Sequence, residues 1–218
     1  MQILNPSNGK LITELQTDGL ESVEKKYQAL VTGQRQWSIV PLPERIKIIK
    51  NFSGLLEQNI ERLAAILTSE VGKPLQQSRN EINGARSRIN WFISNAEKYL
   101  ADETMTEDGG LKEIIRYEPL GVICNISAWN YPYLVGVNVF IPALLAGNGV
   151  MYKPSEFASL TGIEIRNLLI EAGVHPNAFD VAVGDRSVGE LLLNLPFNGY
   201  YFTGSYRTGK YIYERVSS

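Results

Sequence analysis

Apolar positions along the first hundred residues recur at three- and four-residue spacing, the signature of amphipathic helices. Over 20–31, Val23, Tyr27, Leu30 and Val31 fall on one face. From Glu44, just after Pro43, the residues Ile48, Phe52, Leu55, Leu56, Ile60, Leu63 and Leu67 form one continuous stripe, which the Gly72-Lys73-Pro74 break ends. Another helix is predicted over 78–100, with Ile82, Ala85, Ile89, Phe92, Ala96 and Tyr99 on one side. Such stripes are core packing, and the Arg and Lys residues between them read as solvated faces. Ahead of these helices, Asn5-Pro6-Ser7-Asn8-Gly9 is a turn and 10–16 a short edge strand. The acidic segment 102–110 reads as a loop with a turn at Asp108-Gly109-Gly110, and 111–117 alternates well enough for a strand.

Beyond residue 120 the pattern changes to short apolar runs alternating with helical stretches. Strands are expected over 122–127, 149–152, 179–183 and 199–202, and helices over 133–146, 159–172, 187–194 and from Ser205 onward. This βαβαβαβα order predicts an α/β fold: a Rossmann-like parallel sheet with helices on both faces, preceded by an N-terminal helical segment. Ligands of such sheets bind at the carboxyl ends of the strands. That rule selects residues 127–130, 153–156, 184–185 and 203–205, all polar or glycine-bearing.

The last of these stands out. A strand ending in Thr203-Gly204-Ser205 feeds a helix that begins with small residues, which aims backbone N–H groups and the positive helix end at a phosphate. Gly204, Gly209 and Lys210 also match the first seven positions of a Walker A loop, but Tyr211 stands where that loop needs a Ser or Thr hydroxyl for Mg²⁺, so an NTPase is not the reading adopted. Lys210 is then a helix-surface cation.

Composition narrows the function classes. The 218 residues carry a net charge of −2, which gives no electrostatic reason to expect nucleic acid or an anionic membrane. One Cys and one His are too few soft ligands for a zinc site. The uncharged run 131–147 contains Pro132, Asn138 and Pro142 and falls short of the ~20 residues a membrane span needs, so it reads as a buried helix. No secretory signal is visible at the start, and a cytoplasmic location is expected.

Four motifs in register carry a resemblance. Glu118-Pro119-Leu120-Gly121 runs through to Trp129-Asn130-Tyr131-Pro132; Pro142 to Asn148, Lys153-Pro154-Ser155-Glu156 and Phe202-Thr203-Gly204-Ser205 follow. Together with Asn5-Pro6, Gly9, Trp37, Pro43-Glu44-Arg45 and Gly72-Lys73-Pro74, the order and spacing resemble the aldehyde dehydrogenase superfamily across the whole chain. The resemblance implies NAD(P)-dependent oxidation of an aldehyde to an acid through a covalent thioester. It divides the chain into an N-terminal helical part of the cofactor domain (1–102), the loop and strand of an oligomerisation arm (103–118) and a Rossmann-like NAD-binding segment (119–218). Ile126, Ser127 and Trp129 are then similar to the stretch that lies along the cofactor, although Ser127-Ala128 replaces the family's common Thr-Pro. Lys153 and Glu156, flanking Ser155, resemble the adenosine-ribose contacts, with Gly184 and Phe202 at neighbouring strand ends. A carboxylate at Glu156 repels a 2′-phosphate, so NAD is expected over NADP. Ser205 resembles a pyrophosphate contact, with Thr203, Gly204 and Gly209 allowing close backbone approach.

Asn130 resembles the oxyanion residue, whose side-chain amide donates to the aldehyde oxygen as a thiolate attacks. The family's general-base Glu and nucleophilic Cys have no counterpart among these residues. Cys124 lies inside the apolar strand 122–127 and reads as an inert thiol. His175 reads as a loop residue, and Glu118 and Asp185 as structural or solvent-facing. Three readings follow: a dehydrogenase cut short before its catalytic domain and inactive alone, one half of a split enzyme, or an autonomous nucleotide-binding module. The first is favoured because the chain stops between elements. Self-association, as a homo-oligomer or through surface left uncovered, is also expected. The aldehyde itself is not specified by these residues.

Overall fold

A computed structural model describes residues 1–217. A two-stranded antiparallel ribbon, β1 (Gln2–Leu4) with β2 (Leu11–Glu14), opens the chain. Four helices follow: α1 (Leu20–Ser38), α2 (Leu42–Gln58), α3 (Ile60–Val71) and α4 (Leu75–Tyr99). The stripe expected as one helix is thus two. The chain leaves helical geometry at Asn59 (φ −103°, ψ 9°), whose side-chain amide donates to the Leu55 carbonyl, and α3 starts afresh at Ile60. α3 stops at Gly72, which adopts φ 79°, the left-handed conformation glycine tolerates best.

The acidic segment expected as a loop is a strand, β3 (Glu103–Asp108), paired antiparallel with β4 (Leu111–Ile115). Gly109 and Gly110 both take positive φ (56° and 85°), the requirement of a two-residue hairpin turn, and the strand needs no hydrophobic alternation because both of its faces are exposed. Tyr99, expected on the core face of α4, is likewise exposed.

The remaining strands, β5 (Val122–Ile126), β6 (Gly149–Lys153), β7 (Phe179–Val181) and β8 (Gly199–Phe202), form one parallel sheet in the order β7-β6-β5-β8. Alternation along the strands sorts the core. Ile123, Val150, Tyr152, Phe179 and Val181 face α2 to α4 together with α5 (Pro132–Leu145) and α6 (Ser159–Ala172). Val122, Cys124, Met151 and Ala182 face α1 and α7 (Arg186–Leu192). The order reverses between β5 and β8, so a switch-point crevice opens between their carboxyl ends. α8 (Tyr206–Val216) follows β8 and reaches the segment just after α7 through Arg215, which donates to Asn194 at 2.9 Å. Among the described residues no helix is long and apolar enough to cross a membrane.

Candidate functional site

A cleft of about 490 Å³ lies at that switch point, between the ends of β5, β6 and β8 and the facing sides of α7 and α8. Of the residues singled out in the sequence, Ile126, Ser127, Trp129, Lys153, Ser155, Glu156, Phe202, Thr203, Gly204 and Ser205 line it together. Three others do not. Gly184 lies beneath, where its carbonyl accepts from Lys153 and an added Cβ would come 2.3 Å from Val188. Gly209 lines a shallower depression on the other side of the α8 start. Asn130 sits outside the lining, one residue beyond Trp129, with its side chain exposed.

Lys153 ends β6 on the α7 face and is buried. Its Nζ donates to the carbonyls of Pro154 (3.1 Å) and Gly184 (3.0 Å), leaving one ammonium proton for the cleft. Burial lowers its pKa, with Glu156 and Asp185 opposing that shift. Glu156 accepts from Ser155 Oγ at 3.0 Å through one oxygen, and its other oxygen has no partner among the described residues. A donor and an acceptor therefore stand side by side, the pair a vicinal diol needs.

At β8, Phe202 explains the glycines around it. A Cβ on Gly204 would meet the Phe202 ring at 2.4 Å, and one on Gly209 at 3.2 Å, so both glycines let the ring fold under the start of α8. Ser205 is the N-cap: its Oγ accepts from the Thr208 N–H at 3.3 Å, leaving the N–H groups of Tyr206 and Arg207 aimed outward.

The start of α5 is different. Its first N–H groups, at Tyr133 (2.9 Å) and Leu134 (3.4 Å), donate to Glu81 Oε1 from α4. Glu81 also pairs with Lys73, and burial raises its pKa against the pull of that ammonium and those N–H groups. The usual phosphate position after the first strand of such a sheet is therefore filled by a carboxylate of the protein; Glu70 does the same at α6 and Asp185 at α7, and α8 starts without a carboxylate.

Sequence reading missed the far wall of the cleft: Arg186, Gly189, Glu190 and Leu193 from α7 and its end, Arg207, Thr208, Tyr211 and Ile212 from α8. Tyr211 donates to Glu190 at 2.7 Å, which lowers the Glu190 pKa, and Arg186 reaches the same carboxylate at 3.2 Å. Gly189, 3.6 Å from Lys153 Cε at its would-be Cβ, leaves that wall flat. The four-residue spacing of Arg186 with Glu190 was the one signal available in the sequence. Lys210 pairs with Glu214 on the surface of α8. Cys124 is fully buried, and burial pushes its thiol pKa far up. His175 accepts from the Asn177 N–H at 3.1 Å, and Asp185 caps α7 at Ser187 (2.8 Å).

Comparison with known proteins agrees with this layout. The model of the "aldehyde dehydrogenase family" matches residues 1–218. An aldehyde dehydrogenase from Brucella melitensis biovar abortus 2308 superposes with a TM-score of 0.93 at 26% identity, over 99% of this chain and 45% of that one. PnpE in complex with nicotinamide adenine dinucleotide gives 0.94 at 27% identity, over 100% and 45%. Indole-3-acetaldehyde dehydrogenase in its apo form gives 0.94 at 30% identity, over 100% and 52%. The chain spans about half the length of these enzymes.

Proposed function

The chain belongs to the aldehyde dehydrogenase family, and from that premise we propose that its cleft binds NAD for the oxidation of an aldehyde to a carboxylic acid. The observation that carries the reading is the pairing of Lys153 and Glu156 beside an open helix start. The spare ammonium proton of Lys153 and the spare oxygen of Glu156 suit the two hydroxyls of a ribose, and the Tyr206 and Arg207 N–H groups suit a pyrophosphate. Glu156 favours NAD over NADP, since its charge opposes a 2′-phosphate in a partly buried site. When bound, NAD supplies the acceptor for the hydride that leaves the aldehyde carbon.

Within that reaction Asn130 is the oxyanion donor: its amide has no hydrogen-bond partner among the described residues and is exposed. Donation of this kind is worth ~10²–10³ in rate. The thiolate and the general base come from outside these residues, on the same polypeptide or a second one, because Cys124 is sealed in the sheet. Association of copies uses the β3–β4 hairpin, which exposes Met105, Leu111, Ile114 and Ile115. Calorimetric titration of NAD into the chain tests the proposal. Binding that weakens with Lys153→Met and admits NADP with Glu156→Gln supports it, and no binding to the wild-type chain overturns it.

A further inference from the structure

Outside the cofactor cleft, a buried ion pair of Lys73 and Glu81 lies under the Asn130 turn. We propose that Lys73 and Glu81 are positioning residues that fix the Asn130 amide from behind; the inference rests on the oxyanion role of Asn130.

The cluster begins with Gly72, whose left-handed turn, pressed against Pro6, sends the chain toward α5. Lys73 Nζ then donates to the main-chain carbonyl of Asn130 at 2.6 Å and to Glu81 Oε2, and lies 3.8 Å from the centre of the Tyr131 ring. Glu81 Oε1 takes the N–H groups of Tyr133 and Leu134. Both side chains are nearly inaccessible, at 8% and 0%. The backbone is thus held on both sides of the Tyr131-Pro132 junction, at the carbonyl of Asn130 and at the first N–H groups of the helix.

Helix capping alone does not account for this. The Glu81 carboxylate already satisfies the start of α5, where Tyr131, the N-cap residue, offers no side-chain cap of its own. The Asn130 carbonyl lies outside the helix, and among the described residues Lys73 is its one hydrogen-bond donor. The lysine therefore acts on the residue that bears the amide. With its carbonyl fixed, Asn130 keeps only side-chain rotation free, so the donor swings about a set point at the rim of the cleft. An exposed amide with no partner to hold it depends on its backbone for direction.

The test is nuclear magnetic resonance of the ¹⁵N-labelled chain, with the Asn130 side-chain pair identified by its disappearance in Asn130→Ala. In Lys73→Met that pair, and the indole N–H of neighbouring Trp129, are expected to broaden or split. The indole N–H of Trp37, bonded to the Leu144 carbonyl in the core, is expected to stay put and so to report that the fold is intact. Lys73→Arg should restore a single Asn130 pair. Should Lys73→Met not fold, Glu81→Gln keeps an oxygen for the α5 N–H groups while removing the partner charge, and the same broadening is expected. An Asn130 pair unchanged in both variants overturns the proposal. NAD titration of the same samples is the separate readout: loss of the resonance effect with NAD binding intact sinks the clamp alone, whereas a wild-type chain that does not bind NAD sinks the functional reading and leaves the clamp result standing.

Discussion

Four helices begin near the carboxyl edge of the sheet, and their starts differ in what satisfies them: α7 is closed by the carboxylate of its own N-cap, Asp185. α5 is closed by Glu81 from α4, and α6 by Glu70 from α3, whose carboxylate accepts from the N–H groups of Leu160 (2.9 Å) and Thr161 (2.7 Å). α8 has only its own Ser205. The N-terminal helices thus spend two buried carboxylates closing helix starts that carry the same partial positive charge as the one left open. The start of α8 is a phosphate site by omission, since of these four it is the one closed by a neutral hydroxyl and not by a carboxylate.

The largest effect expected from breaking this contrast is on stability. Glu81→Ala uncaps α5 and leaves Lys73 buried without its charge partner, which costs ~3–5 kcal/mol. Denaturant unfolding should show it as a large drop in midpoint at unchanged slope, and a loss below 1 kcal/mol would mean that the pair is not the support described. Glu81→Gln, which keeps an acceptor, should fall between that variant and the wild type.

Glu70 gives an intermediate effect with a pH signature. Burial pushes its carboxyl from 4.5 to about 7, against the pull of Thr161 and Leu160. Because its folded value is the raised one, the folded state holds this proton more tightly than the unfolded chain. Its contribution is full below about pH 4.5 and is lost as pH rises to about 7. At about 1.4 kcal/mol per unit the loss is roughly 3 kcal/mol. Unfolding midpoints measured from pH 5 to 8 should decline, and Glu70→Gln should flatten the decline. An equal slope in the variant would assign it to other groups.

These carboxylates also mark where sequence reading stops. The strand–helix alternation after residue 120 was legible because it is local, and so was the gathering of Lys153, Glu156 and Thr203–Ser205, since strand ends of one sheet converge. Nothing local in the sequence singles out Glu70 and Glu81 among the charges of their helices. The helix starts they cap lie about 90 residues from Glu70 and 52 from Glu81, and only the packing of α3 and α4 on α5 and α6 shows that they point inward. The Tyr211–Glu190 contact between α7 and α8 was hidden for the same reason. The break at Asn59 went unseen because the apolar stripe continues across it: both helices bury the same side. β3 reads as loop because Glu103-Thr104-Met105-Thr106-Glu107-Asp108 has a single apolar residue and so no alternation, whereas its equally exposed partner β4 alternates.

The open helix start can be closed by substitution. Gly204→Val places a side chain against the Phe202 ring, where even a Cβ comes within 2.4 Å, and displaces the chain entering α8. NAD affinity should fall at least about tenfold, equivalent to ~1.4 kcal/mol. Inorganic pyrophosphate added to the labelled wild-type chain should shift the backbone resonances of Tyr206 and Arg207, and leave those of Tyr133 and Leu134 in place. Shifts at Tyr133 would show that the Glu81 plug does not exclude anions.

The smallest effect separates the two kinds of cap. Removing the hydroxyl in Ser205→Ala should cost ~1 kcal/mol of stability, as for other exposed N-caps. Its effect on NAD should be smaller than that stability loss suggests. In the free chain the Ser205 oxygen occupies the Thr208 N–H, so the variant loses a donor to phosphate while releasing another, and the two changes oppose each other. Ser205→Asp separates them: it keeps the cap and stabilises the helix, but sets a negative charge where the pyrophosphate belongs, as Glu81 does at α5. Its melting temperature should match or exceed that of the wild type while NAD binding collapses. Undiminished NAD affinity in Ser205→Asp would show that the phosphate is held elsewhere in the cleft.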